Sequence, residues 1–276
     1  MGFKLGSNSN KIFSAILVFI LIFSLLFLLS PVVAVLINGV RTVPIAATTK
    51  EIRFSLLLSL RTTTEATFIC MVLGCASGYA MHHLPSLLQK IVFSIISIPL
   101  SLPHLVSGVA LLLVYGQMGF GGLLYRVTGI DFVYTQQGIT LALVFVNLSY
   151  AIIMMYSSYD GNLDRLEFTA RTLGCTKAKA FFTVTVPETF PTFLSSTVMT
   201  WSRALGEFGA VIMIAGSTRM KTETLPTALY LNMATGDLDI ALGVSAILIF
   251  VSIFCIVLLQ LIIPGCSGKE TKTCWK

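Results

Sequence analysis

The stretch "LEFTARTLGCTKAKAFFTVTVPETFP", Leu166 to Pro191, is a polar interruption in an oily chain. It reads as two short helices hinged on a glycine. Asn162 is the expected cap of the first, and Leu163, Leu166, Ala170 and Leu173 then share one face. Gly174 follows the last turn, where a left-handed residue closes a helix. Thr176 is placed to cap the second helix, which carries Lys177, Lys179, Phe181 and Phe182. Pro187 has no N–H and pushes Val186 out of the helical region, so the second helix is expected to end there. The product is an elbow bearing cations and apolar knobs. It lacks the broad oily face of a membrane-lying helix and suits a groove on another protein.

Around the elbow the chain is built for a bilayer. Of 276 residues, 55% are hydrophobic and 11% charged, against about 25% charged in ordinary soluble domains. Crossing a membrane takes roughly 20 apolar residues in a helix. Six stretches qualify: Ile12–Ile37, about Ser59–Met81, Ile91–Tyr115, Ile139–Tyr156, Phe190–Ala215 and Ile240–Ile263. The expected fold class is therefore an all-α membrane protein with about six transmembrane helices. The apolar runs are continuous, not alternating, which argues against a β-barrel. Residues 1–50 are expected to form an anchor helix and outer connection, and residues 38–58 read as an outer connection with a short helix ending in "EIRFSLLL". Residues 51–264 form the core, with the polar loop at 157–189, and residues 265–276 a polar tail. The first apolar run is too long for a cleaved signal and reads as a retained anchor.

Charge sets the orientation. Lys4, Lys11, Lys90, Arg165, Arg171, Lys177, Lys179, Lys269, Lys272 and Lys276 fall on one side. Arg41, Lys50, Arg53, Arg126, Arg219 and Lys221 fall on the other. The richer side is expected to be cytoplasmic, together with both termini and the elbow. The net charge of +6 is spread over loops instead of one basic face, which excludes nucleic acid as a partner. The six cysteines, Cys266 and Cys274 in the tail among them, match neither zinc-site nor disulfide spacing.

Within the spans, Gly74, Ala76, Ser77 and Gly78 of "GCASG" allow close helix approach. The short turn "HHLPSLLQK" makes the second and third spans antiparallel neighbours. Pro99, Pro103 and Gly108 break or kink the third span. A broken helix at membrane depth is tolerated against protein or a water-lined cavity, so both a pathway role and a plain kink are open. Arg203 and Glu207 sit four apart in the fifth span and are expected to pair. Arg61 and Glu65 repeat that spacing nearer the outer edge. His82 and His83 lie at a membrane edge with no paired carboxylates expected nearby, and His104 lies in the broken span. A membrane enzyme thus finds poor support, with no catalytic or metal site expected.

Three stretches resemble ABC-importer permeases. Their cytoplasmic loop reads E-A-A, three residues, G, nine residues, I-x-L-P. Ala170, Gly174, Val184, Val186 and Pro187 match at that spacing, whereas Phe168 and Thr169 replace the glutamate and first alanine, with Glu167 one place earlier. "WSRALGEFGAVIMIAGSTRMKTETLP" and "IPLSLPHLVSGVALLLVYG" look like the fifth and third spans of the molybdate, tungstate and sulfate permeases. The resemblance implies a MetI-like, type I importer subunit. Two such chains would form a homodimeric pathway, with two ATPase subunits beneath and an extracytoplasmic oxyanion-binding protein above. It also implies that Glu167, Ala170, Arg171, Gly174, Lys177, Lys179 and Pro187 couple to the ATPase. Pathway candidates are Pro103, Ser107, Thr200, Ser202, Arg203 and Glu207, with Arg203, Ser202 and Thr200 as a rival anion contact. No G-x4-G-K-[ST] loop occurs in the chain, so ATP and its magnesium are expected on the partner and this chain is expected to bind no cofactor. Molybdate or tungstate is the expected cargo. Sulfate or thiosulfate is the alternative, and an ATP-independent secondary anion transporter the rival from another class.

Overall fold

The computed structural model describes residues 8–262. The expectations on Lys4, on the side chain of Lys11, and on the tail with Cys266, Lys269, Lys272, Cys274 and Lys276 lie outside the described residues. Helix α1 (Asn8–Gly39) is largely exposed from Ile12 to Asn38, and α2 (Val43–Thr48) follows. "EIRFSLLL" is not a separate helix. It opens α3 (Lys50–His82), because Thr49 adopts an extended backbone before it and no glycine or proline interrupts the chain until Gly74. Glu51 in the first turn also suits the positive end of the helix dipole.

Two spans are broken. Helices α4 (Ser86–Ser101) and α5 (His104–Tyr115) meet at 106° across Leu102 and Pro103. Beyond α6 (Phe120–Thr128), α7 (Gln136–Tyr156) and α8 (Gly161–Thr172), α9 (Lys177–Ala180) leads through a π-turn at Phe181–Thr185 into α10 (Val186–Leu205). Helix α11 (Gly209–Ala215) is bent by 59° from that rod. Helices α12 (Leu225–Thr235) and α13 (Leu238–Ile262) complete the described chain. Among the described residues four helices, α1, α3, α7 and α13, are long and apolar enough to cross a membrane, and counting each bent pair as one span gives up to six.

The core lies where α3 packs along α7. Gly74 and Gly78 face Ala151, Met155 and Tyr156, so close that a Cβ on Gly78 would lie 2.9 Å from the Tyr156 backbone nitrogen. Lipid tails supply no hydrophobic drive between helices, so such contacts carry the packing. Gly78→Leu is expected to cost about 1–3 kcal/mol by overpacking, read as a lower unfolding midpoint in detergent. Ala76→Leu, on the exposed face, should leave the midpoint unchanged. Gly108 does not break the third span. It is buried inside α5 against Ala210 and Met213 of α11. Helix α4 lies chiefly on α7, with Phe93 beside Tyr156, and touches its predicted neighbour α3 only slightly.

The loops sort to two ends. His82 at the foot of α3 reaches Asp164 of α8. At the other end, the Tyr134 amide donates to the Ile214 carbonyl and the Gln136 side chain to that of Lys221. Helix α1 joins the bundle where Gly39 lies against Leu242 and Ala246 of α13.

Candidate functional site

The elbow is held by local devices. Asp160, not Asn162, caps α8: its carboxylate accepts from the amides of Asn162 and Leu163 at 3.1 and 3.0 Å. An acid at a helix start also opposes the positive dipole end. Helix α8 closes on Gly174 at φ +95°, with Cys175 N–H on the Ala170 carbonyl and Gly174 N–H on that of Arg171. This paired closure satisfies two carbonyls and requires the left-handed residue. Thr176 Oγ1 then accepts from the Lys179 amide at 3.3 Å and starts α9.

Pro187 does not end the second helix. Val186 keeps helical torsions, φ −62° and ψ −49°, and its N–H reaches back to the Phe181 carbonyl. That five-residue reach widens the turn ahead of the proline. It accommodates the missing donor and relieves the ring's clash with the carbonyl four residues back. The lysine-bearing helix and the fifth span are therefore one rod, Lys177 to Leu205.

The elbow's outer surface is open. Arg171, Lys177 and Lys179 are exposed, as are Phe168, Leu173 and Phe182. Phe168, Arg171, Thr172, Cys175, Thr176 and Lys177 line a cleft of about 400 Å³. Glu167 faces the other way. It is buried, and its Oε1 accepts the Tyr79 hydroxyl at 2.6 Å. His82 and His83 do have carboxylates beside them: His82 Nε2 lies 2.9 Å from Asp164 Oδ1. One donor atom each of His83, Asp164 and Glu167 falls within 4.8 Å of the others, but each of these side chains already has a protein partner. Sequence reasoning missed Tyr79 and Asp164. Tyr79, His82 and His83 at i, i+3 and i+4, and Asp164 and Glu167 at i and i+3, were the available signal.

The second constellation lies where the two spans break. Gly209 packs against His104 and the Leu105 backbone, so the starts of α5 and α11 touch. The predicted Arg203–Glu207 pair does not form. Helix α10 ends at Leu205 and the chain turns at Gly206, which removes the four-residue relation. Glu207 is buried and accepts from His104 Nδ1 at 2.7 Å and from the Ala210 amide at 3.0 Å. Arg203 is exposed, with its guanidinium 5.9 Å from the Tyr150 ring centroid. Pro103 is exposed at the break and Ser202 half-buried, whereas the hydroxyls of Ser107 and Thr200 are buried without a hydrogen-bond partner among the described residues. The structure thus joins Pro103's neighbour His104 to Glu207 and leaves Arg203 apart. The Arg61–Glu65 pair forms at 2.8 Å.

An all-helical bundle with two broken spans and a rigid polar elbow is the architecture of an ABC-importer permease. Residues 70–264 match the family described as binding-protein-dependent transport system inner membrane component, and the chain belongs to it. It is 33% identical over 205 residues to the molybdenum transport system permease protein ModB of Mycobacterium tuberculosis, covering 74% of this chain and 77% of that protein. The sulfate transport system permease protein CysT of Synechocystis sp. is 26% identical over 252 residues, covering 88% of this chain and 86% of that one. In fold it is similar to a chain of a bacterial ABC transporter involved in the import of the acidic polysaccharide alginate. The TM-score is 0.73 at 14% identity, over 94% of this chain and 97% of that one.

Proposed function

We propose that this chain is the transmembrane subunit of an ATP-driven importer of a tetrahedral oxyanion, molybdate first and tungstate next. The observation that carries the proposal is the elbow's continuity with the fifth span. A partner that moves α9 moves α10 with it, since no flexible joint separates them. The exposed Arg171, Lys177 and Lys179 beside the apolar Phe168, Leu173 and Phe182 suit an acidic or carbonyl-rich groove on a cytoplasmic ATPase. Two ATPase subunits would supply ATP and magnesium, two copies of this chain would form the pathway, and an extracytoplasmic binding protein would deliver the anion. Both termini would face the cytoplasm with the elbow. Greater identity to a molybdenum permease than to a sulfate permease supports the cargo.

On this reading the anion passes near the two breaks. The hydroxyls of Ser107 and Thr200, without a partner among the described residues, are closed off in this conformation and become available as α5 moves off α11 and α10 off α3 and α7. Weak, shared contacts of that kind bind briefly and release, as a transporter requires. The test is uptake into proteoliposomes holding the chain with its co-purified ATPase. ATP-dependent molybdate uptake, competed more strongly by tungstate than by sulfate, is expected. Uptake by the chain alone down a gradient would overturn the ATP-driven reading in favour of a secondary transporter, and preferential competition by sulfate would replace the cargo.

Charge reversal at Lys177→Glu and Lys179→Glu is expected to weaken ATPase binding about tenfold at low salt, with the difference shrinking as ionic strength rises. Pull-down across a salt series reads this, and equal affinity at every salt concentration would remove electrostatics from the docking.

A further inference from the structure

The elbow's link to the fifth span is covalent, but its link to the second span is made by side chains. Backbone packing between α8 and α3 is slight. Leu163 supplies an apolar anchor, buried in the one cluster that also holds Cys70 and Met71 of α3 and Tyr159. Two polar side-chain contacts cross from α3 to α8, from Tyr79 and from His82, and Tyr79 is the one that also reaches beyond α8. Its hydroxyl donates to the buried Glu167 of α8 at 2.6 Å. Its ring meets Phe181 of the π-turn edge-on at 4.7 Å and Tyr159 at 5.6 Å. Lys177 Nζ lies 5.9 Å from the ring centroid. Its carbonyl accepts from His83 Nδ1 at 3.0 Å, and one turn on, His82 binds Asp164. One aromatic side chain on α3 therefore touches α8, α9 and the widened turn that leads into α10.

Resting on the function proposed above, we propose that Tyr79 is a positioning residue that gives the elbow a second grip, on the second span. Displacement of the elbow then drives α10 through continuous helix and α3 through the Tyr79–Glu167 hydrogen bond. A short bond from a phenol to a buried carboxylate is directional and strong, so it transmits displacement where apolar contact would slip. It also explains why Glu167 turns into the bundle, away from the cleft that faces the partner.

The test uses the assembled complex with its ATPase in proteoliposomes and measures oxyanions imported per ATP hydrolysed. Tyr79→Phe keeps the ring and its packing and removes only the hydroxyl. It is expected to assemble and hydrolyse ATP while import per ATP falls about tenfold, the factor carried by one charge-assisted hydrogen bond. Glu167→Gln, which keeps an acceptor oxygen, should lie closer to the unmodified complex than Glu167→Ala. Tyr79→Phe combined with Glu167→Ala should be no worse than either alone. An unchanged ratio in Tyr79→Phe overturns the proposal. So does loss of assembly in that variant, which would make the hydroxyl a folding contact. Absence of ATP-driven import in the unmodified complex would instead sink the function on which the proposal rests.

Discussion

Glu207→Ala is expected to cost about 3 kcal/mol of stability and to abolish uptake. The carboxylate is 2% exposed and serves both half-helices: it accepts from His104 at the start of α5 and caps α11 through the Ala210 amide. Removing one member of a buried pair typically costs 3–5 kcal/mol, because its partner is left uncompensated. The half-exposed His104 regains some solvation and holds the loss near the lower limit. Unfolding midpoints of the purified protein read the stability, and proteoliposome uptake reads the function. Glu207→Gln, which keeps an acceptor but not the charge, should fall between. Arg203→Ala should be mild, since Arg203 is exposed and holds no carboxylate. Exchanging Arg203 and Glu207 should fail as badly as Glu207→Ala, because an arginine at 207 would face a histidine and a backbone amide. An exchange variant that folds and transports normally would show the two residues to be partners after all.

Gly174→Val is the second large effect, and its cause is conformational alone. The glycine sits at φ +95° with nothing within 4 Å of where a Cβ would stand, so there is no clash to confuse the reading. A β-branched residue in that region costs about 1–3 kcal/mol. The cheaper outcome is to open the turn that pairs Cys175 with Ala170 and Gly174 with Arg171. The angle between α8 and α9 would then be lost while the spans stay folded. ATPase pull-down and ATP-driven uptake should both fall at least tenfold, with helical content by circular dichroism unchanged. Gly174→Asn, which tolerates the left-handed region, should retain most of both activities. A valine variant that docks and transports like the parent would remove the elbow's shape from the mechanism.

Much of this was legible because it is local. Gly174 and Thr176 act within one turn of their own position, so their types and spacing suffice to place them. The six apolar stretches report their solvent directly, and Gly74 and Gly78 report a close neighbour without naming it. Pro187 misled because a proline's effect depends on the turn before it, and the widened turn at Phe181–Thr185 carries the helix past the missing donor. The Arg203–Glu207 pairing assumed an unbroken helix. Gly206 ends it, and the true partner His104 belongs to another span. His82 and Asp164 are likewise far apart in the chain and adjacent in space.

From the chain alone come the bilayer as solvent, the number of spans, the elbow's glycine hinge and the family resemblance. The first three rest on hydrophobicity, helical period and allowed torsions, which depend only on near neighbours in sequence, and the resemblance rests on matched motifs. The tertiary structure decided which way Glu167 faces, what Glu207 holds, and that the elbow runs unbroken into the fifth span. Those outcomes turn on where helices break and fold back. A buried charge takes whichever partner the packed bundle brings within about 3 Å, and separation along the chain places no limit on that choice.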